Sequence, residues 1–365
     1  MGSALSLPPS SSISLLIPQN LKRYFSSPLI IDTDGALDDL AAIATLLSQN
    51  LLLITTVRGG CTDSGFSAEM IRRFLDASGK ASVPVVQGRN LPFDGFDVPS
   101  WLNKHQEKLK VAAKIWGLYD PPIETLDIVP NLELQAASAI VEAVKVAEKD
   151  GKKTTILALG PLTNIALALQ LDPAGMKSGV GEIIFSGDYV MKASSESGLR
   201  PPFNIRLDEA SFWCMLKSGI PVTLCQPTNM KEEKGNDWNP LHAVNDSWCD
   251  CWPRRYYMAS RRRSLAAQVL NFLATVPENK NNLTAVCQNF EDPNMDINSK
   301  FTGVEIVHLK QDPVTAFYVA KRKAFTSAIV DDLGPEVSEH NQKVRRVSAV
   351  NCEDFAAWIR GVAAS

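Results

Sequence analysis

Leu29-Ile30-Ile31-Asp32-Thr33-Asp34-Gly35-Ala36-Leu37-Asp38-Asp39-Leu40 holds both the fold and the chemistry of this chain. Three apolar residues make a short strand, four carboxylates follow within eight residues, and an apolar periodic run then begins. Asp32 and Asp34 lie two apart and share one side of an extended chain. Gly35 permits a sharp turn. Asp38 and Asp39 fall in the first turn of a helix, where the macrodipole favours negative charge. That dipole cannot neutralise four clustered carboxylates, and their repulsion raises some pKa values unless a cation sits among them. Oxygen-only donors favour Mg²⁺ or Ca²⁺ over zinc. The plain alternative, an Asp helix cap with solvated loop charge, is the weaker reading, because ligand sites in α/β proteins form at the carboxyl ends of parallel strands.

Outward from this stretch, apolar runs alternate with amphipathic ones. Strands are expected at 29–31, 51–57, 83–87, 154–159, 182–186, 221–225 and 304–309. Helices are expected at 38–48, 67–77, 134–149, 162–171, 209–218, 254–274 and 314–321. This alternation predicts an α/β fold with a single large open, mostly parallel twisted sheet and helices on both faces. No repeat or linker follows residue 28, so 29–365 is expected to be one catalytic domain. Residues 1–28 hold eight serines, Lys22 and Arg23, and no acid precedes Asp32. They read as a disordered tail, with an organelle transit peptide as the alternative; Met1 to Ser6 also fits a myristoylation pattern. The location expected is cytoplasmic, or an organelle if that segment is a transit peptide. Residues 88–130, with Trp101, His105, Trp116 and Tyr119, and 226–253, with Trp238, Trp248 and Trp252, lack periodicity and suit lids or binding loops.

The 365 residues are 45% hydrophobic and 21% charged, with a net charge of -3. A near-balanced charge argues against nucleic acid as the main partner. No stretch approaches the roughly 20 apolar residues of a membrane span. Seven scattered cysteines do not form a disulfide framework, and Cys249 with Cys251 is too little for a zinc site. Arg261-Arg262-Arg263 looks like a phosphate patch, but a solvated helix face is the favoured reading.

Three metal chemistries compete for the acidic run. An EF-hand is excluded by the glycine at the fourth position. Asp32-Thr33-Asp34-Gly35-Ala36-Leu37 looks like the first motif of haloacid-dehalogenase-type phosphatases, with Asp32 as nucleophile and Mg²⁺; the chain lacks their later paired-Asp motif, since Ser186-Gly187-Asp188 finds no second Asp. The whole run, Asp-Thr-Asp followed by Asp-Asp, resembles the signature of the inosine–uridine-preferring nucleoside hydrolases. Thr55-Thr56-Val57-Arg58-Gly59-Gly60, the strand leading to Gly160-Pro161-Leu162-Thr163-Asn164, Phe203-Asn204-Ile205 with Asp208-Glu209-Ala210, and Gln311-Asp312-Pro313 resemble further elements of that family, in its order. The chain is thus identified as a divergent member, with a Rossmann-like nucleoside hydrolase fold expected.

The resemblance implies Ca²⁺ held by Asp34, Asp39, the Thr163 carbonyl and Asp312. Asp34 would be general base, Asp38 and Asn204 would hydrogen-bond a ribose diol, and Asp32, Asn164 and Gln311 would support these from behind. Taken alone, Asp312-Pro313 is an ordinary N-cap with Pro at N1, and Thr163 could equally be a cap. The implied activity is calcium-dependent hydrolysis of the N-glycosidic bond of a ribonucleoside. The partner is then a small-molecule nucleoside, with neither nucleic acid nor membrane, and a homo-oligomer is common in the resembled family. Three positions depart from the pattern: Gly60 replaces an Asn, Pro202 a Glu, and Gln311 a His. Gln has no titrating proton to give a leaving base. His105 and His242 in the loops could approach substrate, and His308 reads as packed. A weak or inactive relative that binds calcium and ribosyl ligands is the alternative reading.

Overall fold

The computed structural model describes residues 27–59, 63–95, 134–189, 192–194, 198–200, 202–227, 229, 311–329 and 344–364. Gly60, His105, His242, His308, Trp238, Trp248, Arg261 to Arg263, and the elements expected at 254–274 and 304–309 lie outside them, as does nearly all of the 1–28 segment.

The central strand is β1 (Leu29–Thr33), every residue of which is buried. Its side chains alternate between two cores: Leu29 and Ile31 enter one, Ile30 the other. A strand covered on both faces reads as a continuous apolar run, which is why the alternation is invisible in the sequence. Beside β1 lie β2 (Leu51–Thr56) and then β3 (Val85–Gln87) on one side. On the other come β4 (Thr154–Ala158), β5 (Val180–Ser186) and β8 (Val222–Cys225), all parallel. The sheet continues through β10 (Val344–Val350), parallel to β8, and ends at β9 (Phe325–Ile329), antiparallel to β10. Eight strands therefore run in the order β9-β10-β8-β5-β4-β1-β2-β3, and β6 (Lys192–Ser194) with β7 (Gly198–Arg200) forms a separate antiparallel pair.

Helices α1 (Leu37–Leu46), α2 (Ser64–Ala77), α8 (Gln311–Ala320) and α9 (Cys352–Ala364) share the core that holds Leu29 and Ile31. Helices α3 (Gln135–Lys149), α4 (Thr163–Leu171), α5 (Pro173–Gly179), α6 (Phe203–Leu207) and α7 (Glu209–Leu216) cover the opposite face. Aspartates cap three of them: Asp63 accepts from the Phe66 N–H, Asp172 from Gly175 and Asp208 from Ser211. The chain runs β1, β2, β3 outward, then returns to place β4 against the other side of β1. The β1/β4 boundary is thus a topological switch point, whose carboxyl edge opens a crevice.

The structure departs from the sequence expectations mainly at the carboxyl-terminal end. β9, β10 and α9 were not expected, nor were the short α5 and α6. The helix carrying Asp312 begins at Gln311 and not at 314, so Asp312 and Pro313 sit inside its first turn, where a missing N–H is tolerated. The expected N-cap role of Asp312 is corrected accordingly. No helix among the described residues is long and apolar enough to cross a membrane.

Candidate functional site

At the carboxyl end of β1 the chain turns sharply through Gly35, whose φ of 74° is in the left-handed region. The turn folds Asp34 back so that its carboxylate accepts the Ala36 N–H at 3.1 Å. Ser67 of α2 fixes the same loop by donating to the Asp34 carbonyl at 2.9 Å. Two other loops close on Asp34. A Cβ at Gly59, after β2, would overlap its carboxylate, and a Cβ at Gly160, after β4, would stand 2.9 Å from its N–H nitrogen. The family-like glycines at these positions are therefore needed for close approach.

Thr33 points to the α1 face and donates through Oγ1 to Asp39, while the Asp34 N–H donates to the same Asp39 oxygen at 3.2 Å. The α8 amino end brings Asp312 to this point. Ser186, the last residue of β5, donates to Asp312 and receives Thr315 Oγ1 at 3.1 Å. One oxygen each from Asp38, Asp39 and Asp312 lies within 4.8 Å of the others. Asp39 and Asp312 are buried, and Asp38 keeps partial exposure. Burial first, then repulsion from Asp34, raises the Asp38 carboxyl from 3.8 to about 7. Burial and Asp38 do the same to Asp39, to about 7. Burial, then Asp38 and Asp39, push Asp312 well above its ordinary value. No cation is among the causes of any of these shifts. Three converging carboxylates of this kind, offering only oxygen, fit a hard divalent cation.

Asp32 occupies the other face of the sheet. It is 0% exposed; its Oδ1 accepts from Thr55 Oγ1 at 2.5 Å and Asn164 Nδ2 at 2.8 Å. Burial raises it to about 7 against those two lowering bonds. Asn164 also donates to the Thr56 carbonyl at 2.9 Å and accepts the Arg89 N–H at 3.1 Å, so it ties β1, β2 and the loop after β3 together. A wholly enclosed Asp32 has no line of attack on a phosphate, so the phosphatase reading with Asp32 as nucleophile is withdrawn.

The remaining expected residues are spread along the same edge. Thr163 opens α4, and its hydroxyl donates to Asp208. Asn204 donates through Nδ2 to the Leu159 carbonyl at 2.7 Å. Pro202 is the N-cap of α6, and Gln311 begins α8. The compact carboxylate cluster joins Asp38 to Asp39 and Asp312, with Asp34 beside it through its backbone. Sequence reasoning missed Ser186 and Thr33 as the hydroxyls that orient the cluster. It also missed Asp208, which accepts from Thr163 and, at 2.8 Å, from the Phe93 N–H, locking three loops. The strand-end position of Ser186, at the last residue of an expected strand, was the available signal.

Residues 29–357 match the family model described as inosine-uridine preferring nucleoside hydrolase. Among named relatives, the non-specific ribonucleoside hydrolase RihC of Klebsiella pneumoniae subsp. pneumoniae is 29% identical over 207 residues, 54% of this chain and 60% of that protein. The "probable uridine nucleosidase 2" of Arabidopsis thaliana is 30% identical over 169 residues, 44% of this chain and 46% of that protein. The chain thus spans about half to three-fifths of the length of these relatives. An inosine-uridine preferring nucleoside hydrolase from Bacillus anthracis shares the fold, with a TM-score of 0.59 at 17% identity, covering 92% of this chain and 99% of that one.

Proposed function

Because the chain belongs to the inosine-uridine preferring nucleoside hydrolase family, we propose that it cleaves the N-glycosidic bond of a ribonucleoside, giving free base and ribose. The observation that carries this reading is the meeting of Asp38, Asp39 and Asp312, from the two ends of the chain, at the β1/β4 switch point. Residues 29–365 act as one catalytic unit, since no cut between these residues leaves the cluster whole.

Asp39 and Asp312, with Asp38 or Asp34 completing the set, would hold the cation, and the Thr163 carbonyl is the further oxygen we assign to it. Ca²⁺ is our assignment, and when bound it supplies a Lewis acid that orders a water and the ribose hydroxyls. Asp34 takes the proton of the attacking water as general base. The water oxygen bonds to the anomeric carbon while the bond from that carbon to the base nitrogen breaks, leaving its electron pair on the base. The ribosyl group is oxocarbenium-like in between, and the surrounding carboxylates stabilise its positive charge. Asp38 and Asn204 hydrogen-bond the ribose diol. Gln311 has no titrating proton to give the leaving base.

The test is a panel of purine and pyrimidine nucleosides with reducing-sugar detection, run in calcium and in chelator. Ribose release that requires calcium and is lost in Asp34→Ala and Asp39→Ala supports the reading. No release from any nucleoside in calcium overturns it.

A further inference from the structure

The loop after β3, residues 88–95, is pinned at two points. At its start a Cβ on Gly88 would overlap the Asn164 amide and the Thr56 carbonyl, and the Arg89 N–H donates to Asn164 at 3.1 Å. Further on, the Phe93 N–H donates to Asp208 Oδ2 at 2.8 Å. β3 is the marginal strand of the sheet, while Thr163, the other donor to that oxygen, follows β4. The loop therefore passes over the carboxyl ends of β2 and β1 and reaches the β4 side of the switch point.

Capping α7 does not account for a carboxylate at Asp208. Oδ1 does the capping, accepting the Ser211 N–H at 3.0 Å. Ser, Thr or Asn would cap as well, without placing a charge on a residue that is only 4% exposed. Asp63 and Asp172, which cap α2 and α5, keep partial exposure. What a neutral cap lacks is a second accepting oxygen aimed away from its own helix. Oδ2 of Asp208 is such an oxygen, shared by the Thr163 hydroxyl and the Phe93 N–H. Asp208 also ends α6, its N–H donating to the Ile205 carbonyl at 3.1 Å. Asn204 lies on that helix and donates to the Leu159 carbonyl at 2.7 Å. One buried carboxylate thus holds the loop, the start of α4 and the helix of Asn204 in a fixed relation.

We propose that Asp208 is a positioning residue for substrate: its Oδ2 fastens the 88–95 loop beside the Asn204 helix, and binding of the ribosyl ligand depends on that hold. The backbone of Thr163 is kept in place by α4 itself, so the seat of the ion does not depend on Asp208. This inference rests on the ribosyl reading of the crevice given above.

Asp208→Asn tests it, because Asn caps a helix as well as Asp but its Nδ2 cannot accept the Phe93 N–H. Asp208→Ser, which caps without reaching Phe93, serves if the Asn variant does not fold, as read by its melting midpoint. Asp172→Asn, the same change at the α5 cap, is the control. Hydrogen exchange of the Phe93 amide, resolved by mass spectrometry with overlapping peptides, should quicken about tenfold in Asp208→Asn and not in the control. Ribose release from uridine and inosine should show KM about tenfold higher, with kcat within about twofold of the parent. Calcium affinity by isothermal titration should stay within about twofold. Unchanged exchange overturns the proposal, as does faster exchange with unchanged KM, or an equal rise of KM in Asp172→Asn. A loss of calcium affinity matching the rise in KM also overturns it, since the residue then acts through the ion. A parent that binds either nucleoside in calcium without releasing ribose sinks the hydrolase reading alone. Titration of that nucleoside then decides: about tenfold weaker binding in Asp208→Asn upholds the proposal, and equal binding overturns it. A parent that binds neither nucleoside overturns both.

Discussion

Asp38, Asp39 and Asp312 bring three carboxylates within 4.8 Å of one another, and the upward shift this gives them fixes the sign of two predictions. Carboxyls raised to about 7 bind more protons in the native state than in the unfolded chain between roughly pH 4 and 7. Metal-free stability from these groups is therefore fully present at low pH and falls as pH rises through about 7. A divalent cation replaces those protons, so its stabilising effect grows over the same window. Thermal melts at pH 5 and 7.5, in Ca²⁺ and in chelator, should show the larger calcium-induced rise at pH 7.5; a larger rise at pH 5 refutes the assignment. Asp312→Asn removes one repelling charge while keeping an acceptor for Ser186. It should raise the metal-free melting temperature at pH 7.5 and shrink the calcium response, both read in the same melts. At this scale much was legible in the sequence, because a strand, an acidic run and a glycine turn are adjacent in the chain. The Ser186 bond to Asp312 was not, because a hydroxyl at a strand end has many equivalent uses.

Helix α8 delivers Asp312, and its position depends on packing made far from the carboxylates. Phe317 is buried against Phe355 at 5.3 Å and Trp358 at 5.0 Å, ring centre to ring centre. Phe317→Ala should cost about 3–5 kcal/mol of stability by denaturant unfolding. It should also weaken calcium binding, since a shifted α8 carries Asp312 away from Asp39. Phe212→Ala, on α7 across the sheet, should cost a similar amount and leave calcium affinity as it was. Equal calcium losses in the two variants would show that stability, and not α8 placement, sets affinity. Elements with strong apolar runs, such as β1, β4 and α3, were read within a residue or two. β10 was not, because Arg345 and Arg346 interrupt its apolar pattern. Its buried Val344, Val347 and Val350 recur every third residue, not every second, opposite the irregularity in its pairing with β9. β9 itself is a mostly exposed edge strand with little apolar signal.

Across the whole molecule, the sheet order places the first strand at the centre and the last-made strands at one margin. The mostly parallel sheet with helices on both faces could be read from alternation alone; the strand order, and with it the switch point, could not, since pairing depends on chain segments distant in sequence. The cluster closes only when α1 and α8 are both docked, so native contacts of high sequence separation must form first. Calcium should therefore slow unfolding, with little change in the refolding rate, in stopped-flow experiments with and without the ion. An equal calcium effect on refolding would mean that the ion acts before the sheet is complete. The same spacing has a meaning for synthesis on the ribosome. The nascent chain exposes Asp38 and Asp39 early and waits for Asp312 until most of its length has emerged. Through that interval the proposed cation would have no finished seat, so it could not template the early chain. It would only seal a product already assembled, and a truncated copy would betray itself by failing to retain it.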